Sequence, residues 1–505
     1  EANFPSLKLT KFGGQFPSWD STGNVVYWTL GKTLFRYDIL KAKQIEKLKK
    51  AEERALENEN KTISSSNGGD KTIEKYQANE KDIIVKMERA MPKGHLALTN
   101  ATLITMSGEE IIDNGTIILK NNRIEKVGKS NEISIPKDVR EINLKGKFII
   151  PGFVDTHAHL RPAWGLQKNS VWSYAANLAY GVTTTRDPQT GTTDVLTYAD
   201  MVEAGIIPGP RIYSTGPGLL YSGYNIKSLD HARDALTQYS KYYNTKTIKM
   251  YVTGNRQHRQ WIIQAAKEQK LMPTTEGGLD FKLNITQILD GYPGHEHSFP
   301  VYPLYKDFVD FVSASKTAYT PTLLVSYGGP FAENYYYATE EVQKDEKINR
   351  FTPKSELDIK SRRRNSGWFM KEEYVFDDHA VFVKDLVEAN GIAGVGSHGQ
   401  LQGLGYHWEL WSMYSGGISN HDMLKVATIL GAEALGLEND LGSLVQGKLA
   451  DLIILEKNPL NNIRNTNQIK FVVKNGFIYD AETLNMIYPK EKKQEYPWTQ
   501  EAPML

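Results

Sequence analysis

Two histidines, His157 and His159, follow the apolar run Phe148-Ile149-Ile150-Pro151-Gly152-Phe153-Val154-Asp155. Side chains on a strand alternate with a period of two, so both imidazoles are predicted on one side. At that spacing they can hold one metal ion without contorting the backbone. Paired surface histidines are the plainer explanation of such a triplet, and the apolar run before it favours ligation. The chain contains no cysteine. Disulfides, thiolate zinc sites and cysteine nucleophiles are thereby excluded, and any metal must sit on His, Asp, Glu or modified Lys. The missing cysteines leave the compartment open.

The strand ending at Asp155 opens a central region of about 300 residues in which strands alternate with helical patterns. Two β segments flank it. On one side, Leu96 to Met106, Gly115 to Leu119 and Arg123 to Gly128 read as strands, with Asn121-Asn122 as a tight turn. On the other stand Gly447 to Leu455 and Phe471 to Gly476. The simplest arrangement is a β domain built from both chain ends around an inserted α/β domain. Length and alternation suit an eight-stranded α/β barrel for the insert. There, His157 and His159 would face the mouth at the strand ends. A doubly wound open sheet is the structural runner-up, but no glycine-rich phosphate loop follows any early strand.

Upstream, Phe12 to Asp20, Val25 to Trp28 and Thr33 to Tyr37 read as short strands joined by turns. Such strands make about one blade of a β-propeller, which cannot bury its own faces. A small edge sheet packed on the main domain is the plainer alternative. From Lys41 to about Asp82 the composition turns to Lys, Glu and Ala, then Ser and Gly, and reads as a surface insertion or linker. The chain starts at Glu1 without a methionine. Either a removed leader or a longer parent product is expected.

The 505 residues suit two to four domains, and 40% hydrophobic content supports large packed cores. A net charge of +1 gives no basic field, so nucleic-acid binding is not expected. No apolar run approaches the roughly 18–20 residues that span a bilayer.

PGFVDTHAHL, then Tyr180-Gly181-Val182-Thr183-Thr184-Thr185-Arg186-Asp187, then Leu441-Gly442-Ser443-Leu444-Val445-Gln446 with GKLADLIIL, together resemble the amidohydrolase superfamily. The GGQFPSWDSTG stretch is similar to the TolB-like or dipeptidyl-peptidase-like propellers fused ahead of one branch of it. The resemblance implies a distorted (β/α)8 TIM barrel over 151–442 and a β-sandwich from 94–150 and 443–490. Residues 1–93 would be the C-terminal remnant of a propeller whose remainder is missing, with the charged insertion at about 41–82, and 491–505 a tail. It also implies one or two divalent metal ions, with zinc expected and manganese the alternative.

Further residues carry over strand by strand. The fourth barrel strand often supplies a lysine carbamylated to bridge two metals, and Lys249 in Thr247-Ile248-Lys249-Met250-Tyr251 matches it. Alternatively Lys249 ends its strand and reaches solvent or a carboxylate. The fifth strand of many relatives ends in histidine. Here it ends in Glu276, which can also ligate. In Gly294-His295-Glu296-His297-Ser298, His297 matches a ligand. The period of two gives His295 the same face, as a supporting or spare ligand, or else a loop histidine. The eighth strand departs most: His398 stands where an aspartate usually binds metal and takes a proton from water. Imidazole can do either. Asp187 is a candidate acid, or a structural neighbour of Arg186.

The implied reaction is hydrolysis of an amide-type C–N bond, with His398 or Glu276 managing the proton. The substrate would be a short peptide, cleaved as a prolidase does, or a cyclic amide. Between Ser326 and Tyr374, Tyr327, Phe331, Tyr335, Tyr336, Tyr337, Arg362, Arg363, Arg364, Trp368 and Phe369 form a candidate lid. Tyr327 and Arg364 would grip an apolar substrate bearing a carboxylate. Packing against the propeller or a second subunit is the alternative. His407 is a rim candidate with a structural reading beside it. An inactive barrel serving the propeller as a binding module is the other functional class, opposed by the potential ligands kept at its strand ends. The resemblance further implies a periplasmic or cell-surface setting, and a homo-oligomer is expected.

Overall fold

The computed structural model describes residues 8–59, 75–219, 224–251, 253–362 and 369–500. The fold is mixed α/β. Its first element is a four-stranded antiparallel sheet of β1 (Gln15–Trp19), β2 (Val25–Leu30), β3 (Thr33–Asp38) and β4 (Asn79–Asp82). Trp28 stacks on Phe35 at 5.2 Å, and Phe35 packs 5.4 Å from Tyr242, which lies far along the chain. The sheet therefore leans on the α/β region. The helix Ile39–Glu59 fills the first part of the expected insertion. The end of that segment is no linker. Its Asn79–Asp82, polar and wholly exposed, still adds an edge strand through backbone pairing with β3.

The two flanking β segments meet in one nine-stranded sheet. It holds β5 (His95–Ile104), β6 (Ile111–Lys120), β7 (Arg123–Lys129), β8 (Arg140–Asn143) and β9 (Phe148–Pro151) from one end. From the other come the strands Leu452–Leu455, Ile469–Lys474, Phe477–Asp480 and Met486–Tyr488. Leu452–Leu455 pairs antiparallel with β9, which joins the two halves. Leu96, Leu98, Ile117, Leu119, Leu452, Ile454 and Val473 share one core. The stretch expected as a tail is anchored up to residue 500: Trp498 Nε1 donates to Arg350 O at 3.2 Å, and Tyr496 packs on Phe351.

Between these halves run parallel strands, each followed by helix. One sheet contains β10 (Phe153–Asp155), β11 (Val182–Asp187) and β12 (Arg211–Ser214). The other contains β13 (Thr247–Lys249), β14 (Met272–Thr275), β15 (Gly294–Glu296) and β16 (Ala318–Thr320). Ala393 bridges Tyr319 of β16, and Val395 bridges Asp155 of β10, both in parallel. The helices show their sequence logic. Arg256–Glu268 begins with a capping box in which Asn255 and His258 bond each other's backbone amides at 3.1 Å. It then turns Ile262, Ala265 and Ala266 inward. Among the described residues, no helix is long and apolar enough to cross a membrane.

Candidate metal centre

The Asp155 carboxylate at the end of β10 fixes the turn that follows. Its Oδ1 accepts from the amides of His157 and Ser397, both at 3.1 Å. His157 and His159 then do share a side, with their Nε2 atoms 3.2 Å apart. The segment from Ala393 crosses close above them. A Cβ at Gly396 would lie 2.4 Å from Thr320 Cγ2 and 2.9 Å from His157 Cβ, so only glycine permits this approach. His398 follows in the left-handed region at φ +56°, and its amide donates to His157 O at 2.7 Å. Its ring lies 5.0 Å from that of His157 and 4.6 Å from that of His159.

His297 arrives from β15 by a different route than alternation predicts. It leaves the strand with φ +73°, which turns its ring into the cluster while His295 stays outside. His297 Nδ1 is hydrogen-bonded to Thr322 Oγ1. His297 Nε2 sits 3.5 Å from Glu276 Oε2. His157, His297 and His398 each offer a ligand atom within 4.8 Å of the others, and so do His157, His159 and Glu276. The expected ligands from β10, β14, β15 and the Ala393 segment therefore converge. His295 instead packs its ring 4.4 Å from Phe299, and burial depresses it to about 3.

Burial sets the charge state of this cluster. Desolvation, with the Lys249 charge second, lowers His157 to about 3 and His159 to about 4. Desolvation and the neighbouring imidazoles hold His398 well below its ordinary value. These rings are neutral at pH 7, with lone pairs free for a cation. Burial works to raise the Glu276 carboxyl. The hydrogen bond with His297 and the Lys249 charge outweigh it, so Glu276 stays far below the usual carboxylate range.

Lys249 reaches carboxylates, the alternative raised for it from sequence. Fully buried, it lies 2.8 Å from Glu276 Oε1 and in contact with Glu296. Glu296 also pairs with Arg186 and sits 2.7 Å from His157 Nδ1. Arg186 in turn donates to Thr247 Oγ1 at 2.8 Å and Thr274 Oγ1 at 2.6 Å, tying β11 to β13 and β14. Glu296 was not singled out in the sequence, although it stands between the two histidines of β15. A carboxylate placed there had to face opposite to His295, which is inward.

A cavity of about 630 Å³ opens beside the cluster, lined by His159 and His398 together with Arg161, Trp164, Asp187 and Gln189. Two aromatics of the expected lid pack elsewhere. Tyr336 stacks on Trp408 at 5.2 Å, and Tyr337 meets the same ring edge-on at 5.0 Å, so both are core residues. Both rings pack on the helix Leu404–Tyr414 of the same chain. The segment still touches the site indirectly, because Lys360 donates to Gln400 O in the loop after His398. Tyr327, at φ +63°, is half-buried and faces His379 at 6.5 Å rather than the cavity. His407 is not a rim residue. It is fully buried, with Nε2 3.0 Å from Tyr180 O and Nδ1 3.1 Å from Thr466 Oγ1, and both ring nitrogens are thereby used. Arg363, Arg364 and Trp368 lie outside the described residues.

Known proteins resemble this arrangement over most of its length. A guanine deaminase of Escherichia coli (strain K12) is 21% identical over 392 residues, covering 73% of this chain and 87% of that protein. A 5-methylthioadenosine/S-adenosylhomocysteine deaminase of Bacillus cereus is 46% identical, but over 63 residues, or 12% of this chain and 14% of that protein. Among solved structures, a Xaa-Pro dipeptidase with bound methionine superposes with a TM-score of 0.59 at 19% identity, covering 77% of this chain and all of that one. Molinate hydrolase superposes equally well, at 0.59 and 17% identity, covering 78% and 96%. Residues 148–478 match the Amidohydrolase family, a span that includes every strand feeding the imidazole cluster. The chain belongs to that family, whose members hydrolyse carbon–nitrogen bonds.

Proposed function

We propose that the two parallel sheets, linked through Ala393 and Val395, form a distorted (β/α)8 barrel. At its mouth a divalent ion, zinc or else manganese, would be held by His157, His159, His297 and His398, with Glu276 beside them. The reaction we assign is hydrolysis of an amide C–N bond in a short peptide. The observation that carries this reading is the convergence of buried imidazoles, neutral at His157, His159 and His398, on an ionised glutamate. Neutral nitrogen lone pairs and one carboxylate suit zinc, so the donor set fits the ion. Such an ion supplies polarisation of the carbonyl and activation of water at neutral pH.

The chain's own residues do the rest. Asp155 and Gly396 hold the His157 and His398 backbones at close approach, so the ligand set is preorganised. Glu276 is part-exposed, and we assign it the proton taken from the attacking water and returned to the leaving nitrogen. Lys249 keeps Glu276 ionised and oriented. The cavity lined by Trp164 receives the side chains of the substrate. The prolidase-like solved structures and the wide match to the deaminase support C–N hydrolysis as the reaction class.

The test is a panel of dipeptides, cyclic amides and aminopurines offered to protein loaded with zinc or manganese. Release of an amino acid from a dipeptide, lost in Glu276→Gln with metal retained, is the expected result. Ammonia release from aminopurines alone would move the assignment to deamination. No turnover in the panel by metal-loaded protein would favour the binding-module reading.

A further inference from the structure

We propose that Asp187 and Gln189 bind the free ammonium group of the substrate, so that the site takes amides of unblocked amino acids rather than N-acylated ones. The proposal rests on the hydrolase reading for its chemistry, but its binding step can be tested separately.

Asp187 ends β11, and Gln189 follows two residues later. Both line the cavity whose other wall carries His159 and His398. Asp187 Oδ2 and Gln189 Oε1 are buried and have no hydrogen-bond partner among the described residues. Two side chains that line one cavity, each with an unpartnered buried oxygen, form an incomplete polar site, since buried polar atoms ordinarily find a partner. What completes it is a donor, and a cationic donor gains most, because one acceptor is a carboxyl group.

The surroundings agree. Burial pushes Asp187 up to about 8, with the Leu160 amide, Arg161 and Arg186 too weakly placed to hold it down. Arg161 is exposed at the cavity rim, where water screens its charge. A bound ammonium meets the carboxyl group directly and displaces the proton that burial leaves on it near pH 7. The backbone around the site is strained: Gln189 lies at φ +54° and Arg161 at φ +49°, both unfavourable for residues with a Cβ. The Gln189 amide donates to Thr215 Oγ1 at 2.7 Å, which fixes the unusual conformation. Gly218 leaves room for the side chain, since a Cβ there would sit 2.8 Å from Gln189 Cγ.

The test compares L-leucinol, which has the ammonium but no scissile amide, with N-acetyl-L-leucinol, by calorimetry on the metal-loaded protein. Wild type should bind L-leucinol at least about tenfold more tightly, the size expected of a charge-assisted hydrogen bond. Asp187→Asn, checked for folding by its melting temperature, should bring the two within about twofold. If Asp187→Asn fails to fold, Gln189→Asn serves instead, and the preference should fall by at least about threefold. Equal binding to wild type, no binding of L-leucinol, or a preference that survives the substitution would overturn the proposal. Hydrolysis of L-leucinamide is measured in parallel. An amine preference without turnover removes the hydrolase reading alone, and turnover without the preference removes this inference alone.

Discussion

Lys249 and Glu276, from the ends of adjacent parallel strands, form a buried ion pair with Nζ 2.8 Å from Oε1. The same amine contacts Glu296, so one cation serves two carboxylates. Replacing it by Lys249→Met should leave them repelling each other in a buried site. We expect a loss of about 3–5 kcal/mol in the metal-free protein, read by urea unfolding, as for other broken buried pairs. A change below about 1 kcal/mol would show that the pair is not the main neutralising contact.

The same geometry bears on metal count. As an amine, Lys249 competes with a second cation, whereas a carbamate would add a third anion beside Glu276 and Glu296 and so require one. About one ion per chain is expected with unmodified Lys249, and about two with a carbamate detectable by carbon-13 labelling. Two ions on an unmodified lysine would contradict this coupling.

Gly396 sets the approach of His398 to His157. In Gly396→Ala the new methyl meets Thr320 Cγ2 at 2.4 Å and must displace it. The overpacking should cost about 1–3 kcal/mol of stability. Metal affinity should fall at least about tenfold, because His398 moves with the backbone. Equilibrium dialysis with zinc would read the second effect, and unchanged affinity would separate His398 from the ligand set.

How much of this was legible in the sequence depends on the local backbone. His157 and His159 were recoverable because strand alternation holds through that turn, and their Nε2 atoms meet at 3.2 Å. The same rule misplaced His295, because His297 turns away from the strand at φ +73°. Glu296 was hidden by its neighbours: a carboxylate beside histidines draws notice only when Lys249 and Arg186 are known to face it. Tyr336 and Tyr337 looked like a lid because aromatic content does not reveal which partner covers it. Here the partner is Trp408 of the same chain. Asn79–Asp82 pairs through its backbone alone, so no side-chain pattern announces it.

Asp187 gives a pH signature independent of activity. Burial raises its carboxyl from 3.8 to about 8, so the folded chain retains a proton that the unfolded chain releases. A raised acid contributes stability at low pH that is lost as pH rises through that window. Asp187→Asn removes the titration. The melting temperature of the variant relative to wild type, both metal-free, should therefore increase between pH 6 and pH 9. A difference constant over that range would mean that Asp187 is already ionised in the folded protein.

The central claim is that His157, His159, His297, His398 and Glu276 hold a divalent ion used in C–N hydrolysis. Its most direct measurement is metal content by mass spectrometry on the protein as purified and after zinc or manganese addition, with dipeptide turnover read on the same samples. We predict about one equivalent or more, turnover lost on chelation and regained with metal, and both lost in the double variant His157→Ala/His159→Ala. Less than about a tenth of an equivalent after metal addition, or metal uptake unchanged in that variant, would contradict it.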